Sequence, residues 1–377
     1  MKIIQVYQTS PFKDGQGGGV RYLINLTSGL KKSCDEILFL GIGNNAEQHE
    51  NIKLLPITKK LTGYIFFLLM LTLKLPFLNL KNYQAVHVHR LYFAIPFILL
   101  KPNLKIVCSL HGRTFSVFKS NYGNWKLKFV KPIFEFIERF SIKHIDFLVP
   151  VSQDVLNNFK EKYKDIEKRP LQIIGSMLNL KGFKLQNSNY FQEIFGVKNK
   201  YVLFIGRLAD VKNIDFLIQL WSVKFQNQEN IKLIIAGDGG DREKLKSLSN
   251  KVCLKNKPIF IGEIDPKQIP ILISSSNICV LSSKHEASPT VVKESLSCGI
   301  PIITNRVGDV DDFIVNEVNG FVVRKDFESY YKAIKKLINK PLLKEDIKLE
   351  SKEKLYKCSV EYVSSQYSDI YKKLMKL

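Results

Sequence analysis

Two series of short apolar runs, separated by longer stretches with helical spacing, constrain the fold of this chain more than any other feature. The first series is KIIQVY (2–7), EILFLG (36–41), AVHVHR (85–90), KIVCSLHG (105–112) and FLVPVS (147–152). The second is YVLFIGR (201–207), KLIIAGD (232–238), IFIGE (259–263), ICVLSS (278–283), PIITN (301–305) and GFVV (320–323). Strands that alternate with helices in this way form parallel sheets with crossover helices. The sequence therefore predicts an α/β chain with two doubly wound, Rossmann-like domains.

The length of the chain agrees with two domains, because its 377 residues exceed the roughly 100 to 200 of an ordinary single domain. We predict an N-terminal domain over 1–180 and a C-terminal domain over 190–358. The polar stretch 186–200 lies at their junction. The tail, 359–377, has apolar residues at helical spacing, and we expect it to form a closing helix that packs back on the N-terminal domain.

The net charge of +22 is unevenly distributed along the chain. Residues 51–145 contain fifteen Lys and Arg but only two acids, Glu135 and Glu138. Such a segment favours an anionic partner, and charge alone does not choose among nucleic acid, anionic lipid headgroups and phosphorylated substrates. A basic surface that is simply solvated is the remaining interpretation.

The longest apolar run, GYIFFLLMLTL (63–73), is followed closely by Lys74 and Pro76. A helix that spans a bilayer needs about 20 apolar residues, so this run does not predict a spanning helix. We favour a helix of the core. A helix that lies in the membrane interface is the alternative, because the surrounding segment is basic.

Two further features favour the cytoplasm. The six cysteines lie far apart without the spacing of zinc ligands, and we interpret them as reduced and mostly buried. The N-terminus, MKIIQVYQTS, continues directly into the first strand and has no signal-peptide pattern. We therefore expect a cytoplasmic protein.

Charged residues follow the first strand of the second domain, at the edge where open parallel sheets bind ligands. Arg207 and Lys212 lie there, in FIGRLADVKN (204–213). Arg presents a planar fork of donors to phosphate oxygens, and Lys presents a point charge. Together with a helix N-terminus, whose free N–H groups bind anions, these two cations predict a diphosphate site.

The segment HEASPTVVKES (285–295) supplies that helix N-terminus. Ser288 fits an N-cap and Pro289 the first position of a helix that ends near Cys298. The free N–H groups near Thr290 and Val291 suit a phosphate.

Two glutamates bracket this helix start. Glu286 lies in the loop before the helix and Glu294 lies about a turn and a half inside it, so they should hold different groups. A carboxylate accepts hydrogen bonds from the vicinal hydroxyls of a sugar or a ribose. Taken alone, Glu294 has an equally simple interpretation as the partner of a surface lysine.

The first domain contains a glycine-rich segment, DGQGGGVRYLINL (14–26), between its first strand and first helix. Gly18 and Gly19 allow the backbone to approach a ligand closely. The segment is not a dinucleotide fingerprint, because the third glycine and the acid after the second strand are lacking. A flexible turn is the alternative.

Two other polar motifs lie near the predicted ends of strands. His111, at the end of a strand, is a candidate for substrate contact, whereas we assign His87 to the core. The stretch GDVDD (308–312) has the Asp-x-Asp pattern of some metal sites, but it lies where a helix should begin. We therefore assign its acids to helix capping and the helix dipole, and we predict neither a metal nor a cofactor.

Taken together, these segments resemble the retaining glycosyltransferases of family 4, also called group 1, with the GT-B fold. The resemblance covers nearly the whole chain and is strongest over 201–325. The segments that carry it are GGG at 17–19, HG at 111–112, GRL with Lys212, GDGGDREKL (237–245), FIGE (260–263) and HEASPTVVKESLSCGIPII (285–303). The family's fold is two Rossmann-like doubly wound parallel-sheet domains that face a cleft.

The resemblance also implies roles for particular residues. Glu294 would hold the donor ribose, and Glu286 would contact the transferred sugar. Arg207 and Lys212 would neutralise the diphosphate leaving group. The implied catalytic residues are His111, Glu286, Arg207 and Lys212. The implied donor contacts are Gly18, Gly19, Arg207, Lys212, Glu286, Ser288, Pro289, Thr290, Val291 and Glu294.

The sequence departs from this family in one place and gives little information in another. Many relatives have an Asn-Gly-Val-Asp-like turn where this chain has IIGSMLNLKGF (173–183). The acceptor-side domain has no signature beyond its basic, aromatic character, as in 119–140. That character fits peripheral binding to the inner face of the membrane, since each Lys or Arg near an anionic surface contributes about 1 kcal/mol.

We therefore predict a cytoplasmic, metal-independent, retaining glycosyltransferase of hexosyltransferase type. Its donor would be a UDP- or GDP-linked sugar and its acceptor a saccharide or lipid-linked saccharide in surface polysaccharide, capsule or lipopolysaccharide biosynthesis. The alternative is a nucleotide-sugar 2-epimerase on a similar fold, which would change the donor without an acceptor. A nucleic-acid-binding protein is the third interpretation, and the motifs of the predicted cleft oppose it.

Overall fold

The computed structural model describes residues 1–12, 18–61, 63–111, 124–183, 188–196 and 199–376, and it leaves the side chains of 124–131 undescribed. Gly112 and most of the glycine-rich loop, 13–17, lie outside the described residues, as does part of the basic stretch 119–140. The chain divides into two compact units. The first is Met1–Met177 with Val360–Leu377, and the second is Leu178–Ser359.

The first unit is built on a parallel sheet with one antiparallel edge. In the described residues the strand order is β3-β4-β2-β1-β5-β6-β7, and β3 is antiparallel to β4. The strands are β1 Lys2–Val6, β2 Glu36–Ile42, β3 Glu47–His49, β4 Ile52–Thr58, β5 Ala85–Val88, β6 Lys105–Leu110 and β7 Phe147–Pro150. Most residues of the central strands are buried because helices cover both faces of such a sheet.

Helices follow the strands of the first unit. They are α1 Gly18–Leu30, α2 Tyr64–Lys74, α3 Ile95–Leu100, α4 Asn124–His144 and α5 Gln153–Lys162, and the chain returns to this unit in its terminal helix, Val360–Met375. The terminal helix packs against α1, where the hydroxyls of Tyr22 and Tyr367 are 2.7 Å apart. Its buried side includes Val363, Ile370 and Leu374, as the spacing of the tail predicts.

Strands β3 and β4 are absent from the sequence prediction. Strand β4 has the sequence IKLLPIT, in which Lys53 and Pro56 interrupt the apolar run. Lys53 is accommodated because its ammonium lies 2.7 Å from Glu36 of β2. Pro56 lies next to the point where the register of β2 with β4 shifts. The two strands therefore extend the sheet despite a pattern that is unusual for a buried strand.

Helix α2 corrects the expectation of a core helix. Phe67 and Leu71 are fully buried, but the opposite side of the helix faces outward and is apolar. We call this outward surface the apolar face. It consists of Leu61, Ile65, Phe66, Leu69, Leu73 and Phe77, which are all at least half exposed. None of the helices in the described residues is both long and apolar enough to cross a membrane.

The second unit is built on an all-parallel sheet. In the described residues its strand order is β10-β9-β8-β11-β12-β13. The strands are β8 Lys200–Ile205, β9 Ile231–Ala236, β10 Ile259–Gly262, β11 Ile278–Leu281, β12 Ile302–Asn305 and β13 Gly320–Val323. Each of them lies within or beside an apolar run of the second series, so this sheet follows directly from the sequence pattern.

The described helices of the second unit cover both faces of that sheet, with one apolar core on each side. They are α6 Tyr190–Phe195, α7 Ile214–Lys224, α8 Arg242–Val252, α9 Ile269–Ser275, α10 Thr290–Ser297, α11 Val310–Phe313, α12 Phe327–Asn339 and α13 Lys344–Tyr356. The terminal helix of the first unit is α14 in this numbering. All six cysteines are free and buried, as predicted, and burial raises the pKa of the Cys279 thiol to about 11.

Candidate functional site

Two loops of the second unit leave the sheet at the same edge. Strands β8 and β11 are parallel neighbours, so the loop 206–213 after β8 lies beside the loop 282–289 after β11. Asn213 joins the loops, because its side-chain amide donates to the carbonyl of Ser282 at 3.1 Å. The Ser282 hydroxyl in turn donates to the carbonyls of Lys212 and Asn213. The sheet and these hydrogen bonds fix the positions of the charged side chains on the two loops.

The hydrogen bonds between the loops bring Lys212 and Glu286 into direct contact. The Lys212 ammonium donates to Oε1 of Glu286 at 2.5 Å, and the Ser283 hydroxyl donates to the same oxygen at 2.6 Å. Both charged side chains are partly exposed, at 22% and 14%. An ammonium has three N–H donors, so Lys212 can bind Glu286 and a phosphate oxygen at the same time.

Arg207 lies on the same loop and is exposed directly after Gly206. The loop after β9 packs tightly beneath it. A Cβ on Gly237 would lie 2.0 Å from the carbonyl oxygen of Gly206, and a Cβ on Gly239 would lie 2.3 Å from that of Leu208. Both glycines also have positive φ, so the GDGG segment is needed for this close approach of two backbones.

Helix α10 begins at Thr290, four residues after Glu286, at the same edge of the sheet as the Lys212–Glu286 pair. The first backbone N–H groups of a helix have no acceptor within the helix, so Thr290 and Val291 present donors. Glu294 lies one turn inside and is buried, with 5% of its surface exposed. A buried carboxylate requires interactions within the protein, and Glu294 has such an interaction.

Ser288 does not cap helix α10, which corrects the sequence prediction. Pro289 occupies the N-cap position, and no side chain caps the helix there. The Ser288 hydroxyl instead donates to the carboxylate of Asp309, which also forms an ion pair with Lys293. The prediction that Pro289 is the first helical residue is wrong by the same one-residue shift.

Sequence reasoning missed that ion pair. The Lys293 ammonium is fully buried and lies 2.8 Å from both carboxylate oxygens of Asp309 and 2.8 Å from the Ser288 hydroxyl. Asp309 occupies the N-cap position of α11 as predicted, but its carboxylate does not cap that helix. The available signal was a lysine on the apolar side of a buried helix, which requires a carboxylate partner.

In the first unit, the candidate His111 lies at the end of β6. Its Nε2 is 3.1 Å from Nδ1 of His89, and its ring packs edge-on against Tyr22 of α1. Burial, together with the positive charge of Arg90, lowers the pKa of His111 to about 3. His111 is therefore neutral at physiological pH. Gly18 and Gly19 form the start of α1.

His87 belongs to the core, as predicted from the sequence. It is fully buried, and its two ring nitrogens lie 2.7 Å from the Tyr371 hydroxyl and 2.8 Å from that of Ser109. Burial lowers the pKa of His87 to about 3 as well. This histidine joins β5 to the terminal helix and has a structural role.

The chain is similar to glycosyltransferases over almost its whole length. A model of the family "Glycosyl transferases group 1" matches residues 186–354, and one of "Glycosyltransferase Family 4" matches residues 16–180. An uncharacterized glycosyltransferase of Methanocaldococcus jannaschii is 25% identical, with 96% of this chain and 95% of that protein aligned.

Two further comparisons extend this similarity. An Escherichia coli protein, UDP-Gal:alpha-D-GlcNAc-diphosphoundecaprenol alpha-1,3-galactosyltransferase, is 24% identical, with 71% of this chain and 69% of that protein aligned. Among solved structures, sucrose-phosphate synthase from Thermosynechococcus elongatus superposes with a TM-score of 0.84. That comparison covers 100% of this chain and 99% of the other at 17% identity, so it bears on the fold alone.

Proposed function

The chain belongs to the group 1, family 4 glycosyltransferases with the GT-B fold, and we propose that it transfers a sugar, with retention of anomeric configuration, from a nucleoside-diphosphate donor to a saccharide or lipid-linked saccharide. The observation that carries this proposal is the contact between Lys212 and Glu286 beside the N-terminus of helix α10. It combines a cation for phosphate with a carboxylate for sugar hydroxyls at one sheet edge.

The proposed chemistry depends on the leaving group. A nucleoside diphosphate departs as the sugar develops oxocarbenium character, so negative charge grows on the phosphate oxygens. Lys212, Arg207 and the N–H groups of Thr290 and Val291 stabilise that charge more in the transition state than in the ground state, which lowers the barrier. In this proposal these groups take the place of a metal ion, and the protein needs no cofactor.

The two glutamates bind different parts of the donor in this proposal. Glu286, held by Lys212 and Ser283, contacts the transferred sugar. Glu294, buried one turn into the helix, holds the ribose. The acceptor hydroxyl attacks from the face that the diphosphate leaves, which gives retention without a covalent enzyme intermediate. The roles implied for Gly18, Gly19 and His111 remain predictions.

The proposed acceptor and setting follow from the first unit and from a relative. The Escherichia coli relative is named for a diphosphoundecaprenol-linked acceptor. The basic segment 51–145 of this chain fits contact with an anionic membrane, where such an acceptor would lie. We therefore propose a protein of the cytoplasm that contacts the inner face of the membrane and acts in surface polysaccharide, capsule or lipopolysaccharide synthesis.

Nucleotide binding tests this proposal directly. We would measure the thermal shift caused by UDP, GDP, ADP and their common sugar conjugates on the wild type, Arg207→Ala and Lys212→Ala. We expect one base to stabilise the wild type and to lose that effect in both variants. Lys224→Ala, which removes an exposed ion pair with Glu328, is the matched control and should keep the shift.

Product analysis separates transfer from the alternative reaction. With the donor identified, a glycosyltransferase consumes it only when an acceptor is present, whereas a 2-epimerase changes the donor alone. A wild type that shows no shift with any nucleotide, or a shift that survives both substitutions, would contradict the proposed donor site.

A further inference from the structure

We infer that the apolar face of helix α2 inserts into the headgroup region of an anionic membrane and so docks the first unit there. The inference rests on the membrane contact of the proposed function and names the element that makes it. The apolar face consists, as above, of Leu61, Ile65, Phe66, Leu69, Leu73 and Phe77. A large apolar surface at this exposure calls for a partner that removes it from water.

Part of the apolar face is a stripe along the helix. Ile65, Leu69 and Leu73 recur every four residues within α2, so they lie on the same side of it over about two turns. Leu61 precedes the helix, and Phe77 belongs to the turn that follows it. The exposed fractions of these five side chains range from 50% to 88%. No charged residue interrupts the sequence from Tyr64 to Leu73. A surface helix of a water-soluble domain ordinarily has polar residues on this side.

The opposite side of the helix is fixed to the unit. Phe67 is fully buried and its ring lies 5.2 Å from that of Phe93, while the Tyr64 ring lies 6.1 Å from that of Tyr92. The Lys74 ammonium donates to the carbonyl of Pro56 at 3.2 Å. The helix is thus held as part of the fold with its apolar face outward. Eleven residues span only about 16 Å, so it would lie along the interface and not cross the bilayer.

Neighbouring elements add to the same surface. Helix α3 contacts the turn Leu75–Phe77 that follows α2, and it also contacts α4. Leu99 at the end of α3 is 62% exposed, and Phe136 of α4 is 70% exposed. These two adjoining helices therefore expose apolar side chains as well.

The lysines beside the apolar face favour a bilayer over a second copy of the chain as the partner of this face. Exposed Lys59 and Lys60 precede α2, and exposed Lys81 follows it, within the basic segment 51–145. In a symmetric dimer the same patch meets itself, so these lysines would approach each other and repel. Anionic headgroups instead attract them while the acyl region takes up the apolar side chains. The occupant is therefore an anionic lipid surface.

Vesicle binding of the whole protein tests the inference. We would compare the wild type with Leu69→Glu/Leu73→Glu by cosedimentation with vesicles of equimolar phosphatidylcholine and phosphatidylglycerol, and with phosphatidylcholine alone. We expect the wild type to bind the anionic vesicles preferentially and the double variant to bind them at least about tenfold more weakly, since it places two carboxylates in the interface. Leu254→Glu/Leu349→Glu, at leucines of the second unit that are still more exposed, should bind like the wild type.

Three other results would contradict the inference. If the double variant binds anionic vesicles as well as the wild type, helix α2 is not the inserting element and the inference fails. If the wild type binds no vesicles but still binds the donor nucleotide and transfers its sugar, both the membrane contact and this inference fail while the transferase proposal stands. If the wild type forms a dimer that the double variant dissolves, with vesicle binding unchanged, the face is a self-interface and the inference is overturned.

Discussion

Glu286 is held by an ammonium and a hydroxyl that come from two different loops. Lys212 and Ser283 both donate to its Oε1, which fixes the direction in which the carboxylate points. Such preorganisation matters for catalysis, because a group already in place costs no reorganisation when charge develops in the transition state. The sequence showed both residues but could not show that they contact each other, since 74 positions separate them.

The buried pair of Lys293 and Asp309 supports the same loop from below. We predict that Lys293→Met lowers the free energy of unfolding by about 3 to 5 kcal/mol, because it leaves the Asp309 carboxylate buried without its cation. Urea denaturation followed by circular dichroism measures this. Lys224→Ala, at an exposed ion pair, should cost no more than about 1 kcal/mol.

A compensating variant checks the cause of that loss. Lys293→Met combined with Asp309→Leu removes both charges, so it should recover most of the stability that Lys293→Met loses. Because Ser288 would lose both of its partners, the double variant should still bind the donor nucleotide more weakly than the wild type. A Lys293→Met variant as stable as the wild type would show that the pair contributes little.

At the scale of elements, the close approach of the loops after β8 and β9 is the feature that glycine makes possible. We predict that Gly237→Ala destabilises the protein by about 1 to 3 kcal/mol, because its Cβ would collide with the carbonyl of Gly206 and its φ is positive. Since Gly206 precedes Arg207, the shifted loop should also weaken nucleotide binding. Thermal denaturation with and without nucleotide measures both effects.

The chain offers a matched control three positions away. Gly240 has nothing within 4 Å of an added Cβ and lies in the same segment. Gly240→Ala should therefore leave both the melting temperature and the nucleotide shift unchanged. Equal destabilisation by the two substitutions would mean that chain flexibility, and not the contact with Gly206, is the cause.

The prediction of strands and helices succeeded where a run of apolar residues alone marks the element. The inner strands β8, β9, β11 and β12 of the second unit are mostly buried, so they appear in the sequence as largely apolar runs. Strand β4 was missed because Lys53 and Pro56 interrupt its apolar run, and the capping role of Ser288 was wrong because Asp309 takes its hydroxyl. Helix α2 is apolar all round, and composition alone cannot say which half of such a helix the fold will cover.

The whole molecule consists of two compact units of similar size, and the first contains a cluster of histidines in its interior. The first unit contains His87, His89 and His111, and burial lowers the pKa of each of them below the ordinary value. In an unfolded chain these histidines bind protons near pH 6.5, whereas in the folded unit His87 and His111 do so only near pH 3 and the pKa of His89 also lies well below its ordinary value. Stability is therefore fully present above pH 6.5 and is lost as the pH falls towards 3.

One substitution isolates this effect. Each buried histidine adds about 1.4 kcal/mol per pH unit to the slope of unfolding free energy against pH in that window, so His87→Gln should reduce the slope by about that amount. Urea denaturation between pH 4.5 and 6.5, with hydrogen exchange to report on each unit, measures it. His144→Gln, at an exposed position of the same unit, is the control. An unchanged slope in His87→Gln would mean that this histidine is already protonated in the folded state.

In the proposed reaction, Lys212 stabilises the departing diphosphate of a nucleotide-sugar. The most direct test is the rate of sugar transfer by the wild type and Lys212→Met, using the donor that the nucleotide panel identifies and a membrane lipid extract as acceptor. We predict that kcat falls by about 10² to 10³, because one preorganised charge is lost from the transition state, and that donor binding weakens less. A Lys212→Met variant with the kcat of the wild type would contradict it.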